Sequence, residues 1–176
     1  MITTNSGTYL ELDDARPAVR FQRIYDHPIE KVWALVSDPA GLAHWFPSPE
    51  ITLELTPGGT VTFSGDPRMP ESSGRIISVD PPRRLAFTWG GDELHFDLEP
   101  LGEHRTRFTL TNVLQDRDTA ARNAAGWDLC LSALDTHADG RPAEDPHNGP
   151  AASWDELYDG YVAAGLPSGA PVPGKG

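Results

Sequence analysis

Apolar and polar residues keep a helical period near both ends of the chain and a period of two through its middle. Ahead of the middle stretch, Tyr9–Leu12 and Ala18–Tyr25 alternate apolar and polar positions around the turn-like Asp13-Asp14, which predicts a hairpin. Pro28 suits the first position of a helix. Ile29, Val32, Trp33 and Val36 then fall on one helical face. Asp38-Pro39 marks a stop and a fresh start, with Leu42, Trp45 and Phe46 on the apolar side of a second short helix.

Between Ile51 and Asn112 the pattern predicts six strands: Ile51–Leu55, Thr60–Ser64, Arg75–Val79, Arg84–Trp89, Glu93–Leu98 and Arg105–Asn112. Pro57-Gly58-Gly59, the loop Gly65 to Gly74, Pro81-Pro82, Gly90-Gly91 and Pro100-Leu101-Gly102 separate them. These connections are too short for parallel crossovers, so the strands form an antiparallel meander. After Asp116, Ala120, Ala124, Trp127, Leu131, Leu134 and Ala138 draw one stripe along a long helix that Gly140 ends. Arg141 to Pro150 is a Pro-rich connection. Ser153 and Glu156 form a capping-box pattern before a terminal helix over about 153–164, with Trp154, Leu157, Tyr158, Tyr161 and Val162 on its docking face. Residues 166–176 are Pro, Gly and small residues, a composition expected to stay disordered.

The pattern is that of an α+β protein with a single domain over 1–165. A chain of 176 residues buries about 70% of the surface that it exposes unfolded, enough for a core without staples. A formal charge of −12 and the lack of any basic run disfavour nucleic acid as a partner. The one cysteine, Cys130, excludes an intramolecular disulfide and any cysteine-rich metal site. No basic segment precedes an apolar run at the N-terminus, and no run is long enough to cross a bilayer. A cytoplasmic location without a membrane partner is the expectation.

Several spaced segments sharpen the reading. His27-Pro28-Ile29-Glu30-Lys31-Val32-Trp33, Ser37-Asp38-Pro39, Leu42 and Trp45-Phe46-Pro47 are followed in register by Gly58–Phe63, Pro81–Trp89 and Gly126-Trp127. Over Val19 to Ala138 the chain resembles the START-like superfamily (polyketide cyclase and Bet-v-allergen-like, SRPBCC). Within it, the chain resembles the bacterial branch homologous to the activator of heat-shock-protein-ninety ATPase. The resemblance implies a helix-grip fold, a curved antiparallel sheet wrapped around a long C-terminal helix. That superfamily includes lipid carriers, polyketide cyclases and aromatases, and chaperone-binding domains, so the resemblance fixes fold better than function.

Trp45 and Phe46 near an entrance, Phe63, Phe87, Trp89 and Phe96 on strands, and Trp127 and Leu131 on the long helix are the candidate cavity wall. Burying about 300 Å² of apolar ligand there is worth roughly 7 kcal/mol before association costs. The same side chains also serve to fill a core, and Trp45 and Phe46 fit a lid as well as they fit the interior. Binding of a small apolar molecule is thus the first reading. A polyketide cyclase or aromatase-like enzyme and a domain that docks on a chaperone are the alternatives, with a homodimer left open.

The polar clusters offer no clear chemistry. His95, Asp97 and Glu99 alternate on the face opposite Leu94, Phe96 and Leu98, so they are expected to pair with Arg105 and Arg107 across a solvated ladder. Cys130 lies beside the apolar stripe without a neighbouring base and reads as a small buried hydrophobe. His27, His44, His104, His137 and His147 share no ligand spacing and read as surface or loop residues. Arg68 and Met69 occupy a loop long enough to gate a cavity. No GxSxG, HExxH or phosphate-binding glycine motif occurs. No charged residue on the inferred inner faces offers itself as acid or base. The sequence therefore names no catalytic residue, metal or cofactor, and favours a binding protein over an enzyme.

Overall fold

The computed structural model describes residues 3–4, 7–65, 70–140 and 151–170, with backbone alone for 3–4 and 151–153. Two strands, β1 (Thr3–Thr4) and β2 (Thr8–Glu11), lie along the same edge of β3 (Pro17–Tyr25). Helices α1 (Ile29–Ser37) and α2 (Pro39–Leu42) follow, with Pro28 as the residue that caps α1. The meander then comprises β4 (Glu50–Leu53), β5 (Thr60–Ser64), β6 (Ser72–Asp80), β7 (Arg84–Trp89), β8 (Asp92–Pro100) and β9 (Thr106–Val113). A single 3₁₀ turn at Arg117–Thr119 leads into α3 (Ala120–Ala138), and α4 (Ala151–Ala163) packs on α3.

Every strand pair is antiparallel, and the sheet runs in the order β1-β3-β9-β8-β7-β6-β5-β4, with β2 also on β3. This is the helix-grip arrangement that the resemblance implies, with the meander and the long helix that the periodicity predicts. One departure is β6, which starts at Ser72 because Phe63 pairs with Ser72 and Thr62 with Ser73. The ladder thus absorbs Ser72 and Ser73, which the sequence assigns to the loop; Arg68 and Met69 lie outside the described residues, as does His147. A register shift between Ile76 and Ser78 interrupts the pairing of β6 with β7, the kind of irregularity that bends a sheet.

Alternation puts Val19 and Phe21 of β3, Phe108 and Leu110 of β9, Leu94, Phe96 and Leu98 of β8, Leu85 and Phe87 of β7, and Val61 and Phe63 of β5 into one buried cluster. The α3 stripe closes it: Ala120, Ala124, Trp127, Leu131, Leu134 and Ala138 are all buried. Cys130 is buried beside them, as a small hydrophobe. Gly140, with φ 75, supplies the left-handed residue that stops the helix. Beyond α4, Leu166 packs against the core, and the Ala121 N–H donates to Pro167 O at 2.9 Å, so residues 166–170 cross the start of α3. No helix among the described residues is long and apolar enough to cross a membrane.

Candidate functional site

The structure brings all eight candidate wall residues together between the sheet and α3. Phe46 lies 6.0 Å from Phe63, 6.2 Å from Phe87, 6.1 Å from Trp89 and 5.8 Å from Trp127, measured between ring centroids. Trp45 lies 5.8 Å from Phe96 and 6.5 Å from Trp127, and Trp89 lies 5.3 Å from Trp127. These are contact distances for tilted and edge-on rings. The space among these side chains is thus taken by the side chains themselves, and a guest has to part them.

Trp45 and Phe46 have no exposed surface at all, so the entrance position inferred for them does not hold. The cause lies in how α2 packs on α1. A Cβ at Gly41 would fall 2.4 Å from the Ala34 carbonyl oxygen and 2.7 Å from Leu35 Cα, so only glycine allows this approach. The short helix is thereby pressed onto α1, and the Trp45 indole N–H donates to Leu35 O at 2.9 Å. One compact turn thus delivers two aromatic rings to the interior.

The three indoles of the site differ in their hydrogen bonds. Trp45 is satisfied by Leu35, and Trp127 Nε1 donates to Asn112 Oδ1 at 3.1 Å. Asn112 is fully buried and also receives Asn123 Nδ2 at 3.0 Å, while its own Nδ2 donates to Asp92 Oδ2 at 3.0 Å. Asp92 Oδ2 takes Asn123 Nδ2 as well, and Asp92 Oδ1 takes the Gln115 N–H. Trp89 Nε1 is shut off from solvent and has no acceptor among the described residues. An indole N–H left so costs about 1–3 kcal/mol.

A second polar cluster sits between β3, α3 and α4, and it puts charged side chains on an inner face where the sequence offers none as acid or base. Arg23, on the inward face of β3 and 1% exposed, pairs with Asp135 at 3.2 Å and lies 3.8 Å from Asp128. Tyr25 Oη donates to Asp135 at 2.7 Å, Tyr161 Oη donates to Asp128, and the Gly7 N–H donates to Tyr161 Oη. Burial raises the carboxyl pKa of both aspartates, against the pull of their hydroxyl and Arg23 partners. Burial and the Asp135 charge push the Tyr25 phenol well up, and burial and the Asp128 bond do the same for Tyr161. One guanidinium faces two carboxylates whose hydroxyl partners are engaged, and the cluster ties α3 and α4 to β3. Its signal in the sequence is the seven-residue spacing of Asp128 and Asp135 beside the α3 stripe, facing Arg23 at an inward position of β3.

The remaining polar candidates stand apart from the rings. His95 bonds Glu93, Arg84 pairs with Asp97 and Arg107 with Glu99, all on the outer face. Arg105 pairs with Asp26 rather than across the ladder. The Arg84–Asp97 and Arg107–Glu99 pairs line a charged outer groove with Asp80, Arg83, Leu98 and Thr109. Three of the histidines read as surface or loop residues make contacts: His44, exposed on the α2 turn, stacks on His137 in the last turn of α3 at 3.7 Å, and His27 Nε2 contacts Ala138 O at 2.6 Å. No group of three or more metal-binding side chains occurs among the described residues.

Comparison with known proteins places this geometry in context. The family model described as "Activator of Hsp90 ATPase homolog 1-like protein" matches residues 26–139. The solution structure of CalU16 from Micromonospora echinospora superposes with a TM-score of 0.71 at 22% identity, covering 92% of this chain and 94% of that one. A protein encoded by gene BPP1335 of Bordetella parapertussis gives 0.66 at 26% identity, over 91% and 94% of the two chains. PFC0360w, an HSP90 activator from Plasmodium falciparum, gives 0.58 at 15% identity, over 72% and 99%. No curated protein sequence matches the chain.

Proposed function

The chain belongs to the Activator of Hsp90 ATPase homolog 1-like family, and on that premise we propose that it binds one small, planar, apolar molecule among the rings between its sheet and α3. The observation that carries this reading is the contact of seven aromatic rings from α3, β5, β7, β8 and the α2 turn. A planar guest inserted there exchanges ring-to-ring contacts for ring-to-guest contacts of the same kind. Parting the closely packed rings costs about 1–3 kcal/mol in displaced side chains and backbone, which the burial of both faces of the guest has to exceed.

Native mass spectrometry of the protein with a series of two- and three-ring arenes tests the reading. One guest per chain, with dissociation constants in the micromolar range or tighter and mutual competition within the series, is the expected result. Failure of every arene to bind at up to about 1 mM, the range of roughly −4 kcal/mol, would remove it. The family description and the Plasmodium falciparum activator support a second reading, docking on a chaperone, for which co-purification of a chaperone with the tagged protein from its host is the test.

A further inference from the structure

We propose that Trp89 determines specificity in this site, and that the guest is a planar apolar molecule bearing one neutral hydrogen-bond acceptor such as a ring ketone. This rests on the ligand-binding reading above and adds to it the chemistry of the guest. Of the three indoles in the ring cluster, two spend their N–H on the protein itself, on Leu35 O and Asn112 Oδ1. The third, Trp89 Nε1, is buried without an acceptor among the described residues. The polar network next to it does not wait for this donor, because Asn112 Oδ1 already takes two N–H groups and each Asp92 oxygen takes at least one. The Trp89 ring touches Phe46 and Trp127, so a guest lodged between those rings lies beside the indole edge.

The charge of the acceptor follows from the same neighbourhood. Trp89 pairs across the β7–β8 ladder with Asp92, whose carboxylate repels an anionic group. The other neighbours are aromatic, and a desolvated carboxylate among them lacks a counter-charge. A carbonyl or ether oxygen meets one indole N–H without that penalty. A site built around a buried donor also rejects a guest that leaves the donor unpaired, which is how one N–H discriminates between molecules of equal shape.

Fluorene and 9-fluorenone test this as a matched pair, since they share their rings and differ in a methylene against a carbonyl. Isothermal titration with both, on the intact protein and on Trp89→Phe, gives four affinities. The proposal predicts that the substitution weakens fluorenone about tenfold and leaves fluorene within about twofold, the scale of one lost hydrogen bond. It also predicts that fluorenone, and not fluorene, moves the indole N–H resonance of Trp89 downfield. Equal losses for both probes, or no change in either, would overturn the donor role while leaving the apolar site standing. If other arenes of the series bind and neither probe does, this inference falls alone; if none of the series binds, the binding reading falls with it.

Discussion

Trp127 on α3 donates its indole N–H to Asn112 on β9 across 3.1 Å, and that bond fixes the central ring of the aromatic cluster to the sheet. Asn112 has no exposed surface, so its amide serves as the hub through which the long helix, the β8 start and the helix residue Asn123 are joined. Replacing it by Ala leaves the Trp127 indole N–H without its acceptor in a dry setting and takes one of two acceptors from Asn123 Nδ2. Asn112→Ala is expected to cost about 2–4 kcal/mol in urea unfolding, and to shift Trp127 fluorescence. Trp127→Phe, which removes a donor and keeps a ring, costs less.

The Arg23 cluster gives a prediction of a different kind. Arg23 is 1% exposed and Asp135 is 14% exposed, so removing Asp135 leaves the buried Arg23 with Asp128 at 3.8 Å as its remaining carboxylate and takes the acceptor from Tyr25 Oη. Asp135→Ala should destabilise the fold by about 3–5 kcal/mol. A coupled replacement, Arg23→Met with Asp128→Leu and Asp135→Leu, should recover a large part of that loss. Thermal melts of the single and combined variants check it; equal instability in both would show that the charges act independently.

Gly41 predicts a coupling between α2 and the rings. A Cβ there meets the Ala34 carbonyl oxygen at 2.4 Å, and backbone cannot yield as a side chain end can. Gly41→Ala should cost about 1–3 kcal/mol and weaken the Trp45 bond to Leu35 O. The measurement is the Trp45 indole amide exchange rate, which should rise in the variant relative to that of Trp127.

Stability should also respond to pH through His137. The pKa of His137 is lowered from its ordinary 6.5 by burial first, then by the neighbouring His44 and Lys31 charges. The unfolded chain therefore takes up the proton first, and stability that is full above about pH 6.5 declines as the pH falls from there through the folded pKa. His137→Gln should flatten this decline. Asp128 and Asp135 act with the opposite sign nearer pH 4, because their raised pKa values let the folded state gain protons first. A pH series of chemical melts separates the two windows.

Much of the architecture is legible in the sequence because it is written in periodicity. The α3 stripe from Ala120 to Ala138 falls on the observed helix, and Phe87, Phe96 and Phe108 face inward as strand alternation requires. What stayed hidden depends on tertiary approach. Trp45 and Phe46 look peripheral on a short helix before a proline, and only the Gly41 contact with α1 shows why they end in the interior. Arg23 reads as a polar break in a strand until Asp128 and Asp135 arrive from a helix more than 100 residues later. Stacking of His44 on His137 likewise joins residues whose local sequences say nothing of each other.

The central claim is that a guest enters among the rings between sheet and helix, and the five tryptophans report on it directly. In a two-dimensional nitrogen–proton spectrum followed during titration with 9-fluorenone, the indole signals of Trp45, Trp89 and Trp127 should shift together along one saturable curve. Those of Trp33 on α1 and Trp154 on α4, which lie outside the ring contacts, should stay in place. Saturable shifts at Trp33 or Trp154 with the other three unmoved would locate binding elsewhere and contradict the account.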